Sequence, residues 1–84
     1  MDEKINLTLV KQLKHLFNFS NEQLKIFYEE FNKIDIEDKK KLLVDLDNKI
    51  KSNNDFLNWI KTKLKIKSNE IEEYIEKENV KIGL

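Results

Sequence analysis

The sequence predicts an all-α chain, a compact bundle of four to five short helices that forms one domain over residues 1–84. Three observations carry that expectation. Apolar residues recur at i, i+3, i+4 and i+7, the spacing of one helix face. No segment before residue 80 alternates with a period of two. The chain has no Pro and a single Gly, Gly83, so other residues must punctuate it. The three serines, Ser20, Ser52 and Ser68, each stand just before an apolar-periodic run. A Ser hydroxyl at a helix start accepts a bond from an otherwise unpaired amide.

The first helix is expected over 4–18, with Ile5, Leu9, Val10, Leu13, Leu16 and Phe17 on one stripe. The second, over 21–33, opens on Ser20-Asn-Glu-Gln23, a capping-box sequence, and carries Leu24, Phe27, Tyr28 and Phe31. The third spans 36–51 with Leu42, Leu43, Leu46 and Ile50. The fourth, over 53–64, follows Ser52 and carries Phe56, Leu57, Ile60 and Leu64. The fifth, over 69–79, follows Ser68 and carries Ile71, Tyr74 and Ile75. Connections of about two to five residues force neighbouring helices to pack against each other. The tail Val80-Lys-Ile82-Gly-Leu84 alternates, and either packs back on the bundle or docks as a strand on a partner.

Composition excludes most chemistry. With 84 residues the chain buries only about 60–65% of its unfolded surface, so each large apolar residue matters. There is no Cys, which removes disulfides, thiolate nucleophiles and zinc–sulfur sites. His15 is the sole His, so a His-cluster metal site is excluded, and it reads as a solvated residue of the first helix. Adjacent acids such as Glu29-Glu30 and Glu72-Glu73 do not face each other on a helix. No Gly-rich phosphate loop is present. The expectation is a non-enzymatic protein with no catalytic, cofactor-binding or metal-binding residue. A charged first twenty residues and no long apolar run predict neither a signal peptide nor a membrane span, hence a cytoplasmic location. Heavy use of Lys, Asn and Ile is that of an AT-rich genome, as in low-GC bacteria and their phages.

Net charge is zero, but its distribution is uneven. Residues 49–67 hold Lys49, Lys51, Lys61, Lys63, Lys65 and Lys67 against Asp55 alone. The next segment is acidic, with Glu70, Glu72, Glu73, Glu76 and Glu78. Within 57–76, a helix, the turn Lys65-Ile66-Lys67 and a Ser68-capped helix follow in order, with Ile66, Ile71 and Tyr74 at apolar positions. This segment resembles the helix-turn-helix of DNA-binding regulators, which implies phosphate contacts from Lys61, Lys63, Lys65 and Lys67. It departs from that pattern at Lys61, where a small residue is usual and a long side chain would hold the helices apart. It departs also at Lys65, which replaces the turn glycine.

The other candidate surface comes from apolar residues that miss the stripes. At about 100° per residue, Trp59 lies far from the Leu57/Ile60/Leu64 stripe and near Phe56 and Lys63. Ile26 lies opposite the second helix's stripe, and Val44 lies off the third's. Phe56, Trp59, Lys63, Ile26 and Val44 are therefore the expected partner-binding residues, with Trp59 as anchor. The leading expectation is a small protein-interaction domain, an inhibitor or regulator that occupies a surface of a larger protein, alone or as a homodimer. The alternative is a nucleic-acid-binding regulator using 57–76.

Overall fold

A computed structural model describes residues 2–78, apart from the side chain of Asp2. It contains α1 (Asp2–Leu16), α2 (Asn21–Phe31), α3 (Ile36–Asn48), α4 (Asn53–Trp59), a π-helical segment (Ile60–Leu64) and α5 (Asn69–Lys77). No strand occurs among the described residues, and the expected all-α bundle is the fold. No described helix is long and apolar enough to cross a membrane. The tail 80–84, read as a strand or a packed-back segment, lies outside the described residues.

The caps sit where the serines predict. Ser20 and Gln23 form a complete capping box. The Gln23 amide donates to Ser20 Oγ at 3.2 Å, and the Ser20 amide donates to Gln23 Oε1 at 2.8 Å. The Asp55 amide donates to Ser52 Oγ at 3.1 Å, and the Ile71 amide to Ser68 Oγ at 3.4 Å. Asp35 caps α3 through the Glu37 amide at 3.4 Å. Two helices stop earlier than their periodicity suggests. α1 ends at Leu16 and α3 at Asn48, so Phe17 and Ile50 enter the core from the connections.

One contiguous core joins all five helices. At its centre is an aromatic cluster. Phe56 lies 5.0 Å, centroid to centroid, from Phe17, 5.7 Å from Trp59, 6.1 Å from Phe27 and 6.2 Å from Phe19. These rings come from α2, α4 and the chain that follows α1, so the cluster fixes three parts of the bundle at once. Asn53, at the start of α4, donates from Nδ2 to the carbonyl of Ile75 at 2.8 Å and to that of Glu78, which ties α4 to the end of α5. The Tyr74 hydroxyl donates to the Asn18 carbonyl at 2.6 Å and holds α5 against the α1–α2 connection. Burial is the larger cause that moves its pKa above the ordinary 10.0, with Glu78 adding to it.

The fourth helix departs most from expectation. It is not one α-helix over 53–64, because its last turn widens into a π-helix. A π turn holds more residues than an α turn, so side chains beyond it are rotated relative to an α-helical count. The buried residues are Phe56, Trp59, Ile60 and Leu64, with Leu57 only partly buried. The wider turn brings Leu64 onto the Phe56/Ile60 side. The segment ends at Lys65, in the left-handed region with φ 58° and ψ 37°. The amides of both Lys65 and Ile66 donate to the Ile60 carbonyl, the latter at 2.9 Å, which closes the helix end. Ile66 is buried beneath this closure.

Lys65 thus occupies a conformation that costs a residue bearing a Cβ about 1–2 kcal/mol. Glycine would remove that cost, offset by about 0.5–1 kcal/mol of extra chain entropy in the unfolded state. Lys65→Gly is expected to raise stability by about 0.5 kcal/mol, or some 2–4 °C in Tm. A lower melting temperature would show that the lysine side chain itself supports the turn.

Candidate functional site

Two adjoining grooves follow the π segment. One hollow of about 630 Å³ lies between it and the α2–α3 corner, lined by Glu30, Lys33, Ile34, Asp35, Asp38, Lys41, Leu42, Asp45, Thr62, Lys63, Leu64 and Lys65. A second, of about 250 Å³, is lined by Asp45, Lys49, Ile50, Asp55, Asn58, Trp59, Thr62 and Lys63. The two share Asp45, Thr62 and Lys63, so together they make one trough between α3 and the α4–π unit.

Its electrostatics are balanced. Glu30, Asp35, Asp38 and Asp45 line the larger hollow together with Lys33, Lys41, Lys63 and Lys65. Some of this charge is already paired: Lys33 with Glu30 at 3.1 Å, and Lys49 with Asp45 at 3.3 Å. Lys41, Lys63, Lys65 and Asp38 make no ion pair with another described residue. The trough therefore offers donors and acceptors of both signs to a visitor. Among the described residues no group of three His, Cys, Asp or Glu side chains is arranged to hold a metal ion. His15 is exposed on α1 and lines neither hollow.

The expected partner-binding set does not form one patch. Trp59 is 5% exposed and Phe56 is fully buried, so the Trp59-anchored surface is corrected: both residues belong to the core. Trp59 stands three residues after Phe56 on the same face of α4, and it is that face that meets the core. Ile26 is half-buried against the core. Val44 stands 57% exposed on α3 but lines neither hollow. Of the five, only Lys63 is both exposed and in the trough. Tyr28, expected in the core, is instead 40% exposed, at the edge of the α2 face that buries Leu24, Phe27 and Phe31.

The four lysines of 57–76 also separate. Lys63 and Lys65 line the trough, whereas Lys61 and Lys67 line a different hollow with Ile66, Asn69 and Glu72. The Lys61 ammonium meets Glu72 at 2.8 Å and bridges the π segment to α5. Hydrogen bonding to Glu72 and its charge raise the Lys61 pKa above 10.5. The left-handed residue does fall at Lys65, where a helix-turn-helix would carry glycine.

Two features lie outside what the sequence pattern suggests. Leu7 is 59% exposed and borders a shallow groove of about 310 Å³ with Glu3, Asn6, Val10 and Tyr28. Its absence from the α1 stripe is the available signal. A polar cluster joins α1, the end of α2 and α3, with Asn6 and Lys39 buried and Asn32 exposed. Asn6 Nδ2 donates to Asn32 Oδ1 at 2.9 Å, and Lys39 Nζ reaches the same oxygen at 3.5 Å. Both Asn6 and Lys39 sit at core spacing, Asn6 three before Leu9 and Lys39 three before Leu42.

Comparison with protein-family models, curated proteins and solved structures finds no match to this chain.

Proposed function

We propose that this chain is a non-enzymatic protein-interaction domain, a regulator or inhibitor that occupies a surface of a larger protein through the trough along the π segment. The observation that supports this reading is a coincidence of place. Among the described residues, the one π-helical segment and the one non-glycine residue at positive φ, Lys65, both wall the groove of about 630 Å³. π turns recur at functional sites, and local strain persists where the surrounding structure holds it for a use. A trough with five acids and five lysines suits a protein segment of mixed charge.

The nucleic-acid alternative keeps one supporting observation, the left-handed turn at Lys65 with Ile66 beneath it. Charge argues against it. Phosphate recognition requires a net positive surface, whereas the trough is balanced and α5 carries Glu70, Glu72, Glu73 and Glu76.

Two measurements separate the readings. Wild-type protein is expected to show no binding to random duplex DNA at low salt. Micromolar, steeply salt-dependent binding that disappears in Lys63→Glu/Lys65→Glu would overturn the protein-interaction reading. A protein retained by the wild-type chain is expected to be lost from that double variant and kept by Lys77→Glu, a control on α5. Retention by both variants would place the contact outside the trough.

A further inference from the structure

We propose that a second copy of this chain docks antiparallel on the outer face of α1, making a weak two-fold dimer. This face shares no lining residue with the trough, so failure of one proposal leaves the other standing.

Glu3, Leu7, Val10 and Lys14 are spaced i, i+4, i+7 and i+11, which puts them on one stripe of the helix. Leu7 is the most exposed large apolar side chain described, and Val10 beside it is only half-buried. Neither Glu3 nor Lys14 makes an ion pair with another described residue. Read from the other end, the stripe is its own complement: acid, apolar, apolar, base becomes base, apolar, apolar, acid. When two copies of α1 lie antiparallel about an axis between Leu7 and Val10, Glu3 of each faces Lys14 of the other. Leu7 of each then faces Val10 of the other. Such a self-complementary patch is what an isologous interface requires. The charged ends are about 16 Å apart along the helix, so both pairs form together.

The groove bordered by Leu7, Val10 and Tyr28 gives the incoming Leu7 a place to seat. A chain of zero net charge has no overall repulsion to overcome on approach. The parallel arrangement sets Glu3 against Glu3 and Lys14 against Lys14, so charge fixes the orientation. One three-turn face is smaller than the roughly 800 Å² per partner of a standard interface, which places the dimer in the upper micromolar range.

Sedimentation equilibrium from about 10 μM to 1 mM tests this, a span that brackets such a dissociation constant. Wild-type protein is expected to pass from monomer to dimer. Glu3→Lys and Lys14→Glu, both at exposed positions, are each expected to weaken association at least about tenfold, since each dimer then holds two repulsive pairs. Their equimolar mixture is expected to recover wild-type affinity within about threefold. In the mixed dimer the lysine introduced in one variant faces the glutamate introduced in the other, and the native Lys14 of the first faces the native Glu3 of the second. Leu7→Asp removes the dimer. Far-UV circular dichroism checks that each variant remains folded. A wild-type chain that stays monomeric throughout overturns the proposal. So do single variants that associate like wild type, or a mixture no tighter than its components.

Discussion

Phe56→Ala is expected to remove about 3–5 kcal/mol of stability, the cost of deleting a fully buried aromatic ring and leaving a cavity. Chains of this length have about 4–13 kcal/mol in total, so the variant sits at the edge of folding. At about 4–8 °C per kcal/mol, the melting temperature should fall by some 12–40 °C. Phe56 is singled out because its ring meets those of Phe17, Phe19, Phe27 and Trp59, and so touches several elements at once. Urea and thermal melts followed by circular dichroism and by Trp59 fluorescence measure the loss. Leu57→Ala is the matched control. Leu57 is partly buried and should cost no more than about 1–2 kcal/mol. An α-helical count through residue 64 centres the core stripe near Leu57 and predicts the reverse order. A larger loss at Leu57 than at Phe56 would therefore reject the aromatic cluster as the centre of the core.

That comparison marks where the sequence stops being legible. Helix starts are legible because each is a local event: a serine hydroxyl meets an amide three residues on, as at Ser20, Ser52 and Ser68. The core of α2 and α5 is largely legible because an unbroken α period projects correctly, as Leu24, Phe27, Phe31, Ile71 and Ile75 demonstrate. Trp59 is not. Which of two adjacent faces of α4 meets the core is decided by the elements packed beside it, and the Phe56/Trp59 face is the one buried. The trough has the same origin. Asp38, Asp45, Lys63 and Lys65 are ordinary surface residues in sequence, and only the packing of α3 beside the π segment brings them together. The lysine-rich stretch is visible, but which hollow each lysine borders depends on the elements packed beside it. The Glu3–Leu7–Val10–Lys14 stripe needs no tertiary information. What hides it is Val10, which periodicity assigns wholly to the core and the structure leaves half-buried.

Lys39→Met is expected to stabilise the protein by about 1–2 kcal/mol, against the usual direction of a core substitution. Lys39 is 3% exposed, on the inner side of α3 with Leu42 and Leu46. No carboxylate lies within ion-pairing distance of it among the described residues. Its ammonium has two compensations. One is Asn32 Oδ1 at 3.5 Å, the long limit of a hydrogen bond; the other is the Phe31 ring, 5.3 Å to the centroid. A desolvated cation over a ring gains roughly 2 kcal/mol, whereas withdrawing an ammonium from water costs several. Desolvation wins, so a methionine that keeps the volume of the stem and drops the charge should gain. Lys39→Ala separates charge from packing: it removes both, and the void should cancel the gain or reverse it. Asn32 keeps its bond from Asn6 at 2.9 Å in either variant, so the link between α1 and the end of α2 survives. A Lys39→Met protein that melts below wild type would show that the ammonium stabilises by joining α3 to that link. The same result would identify the Asn6–Asn32–Lys39 cluster as the element that sets the register of the first three helices.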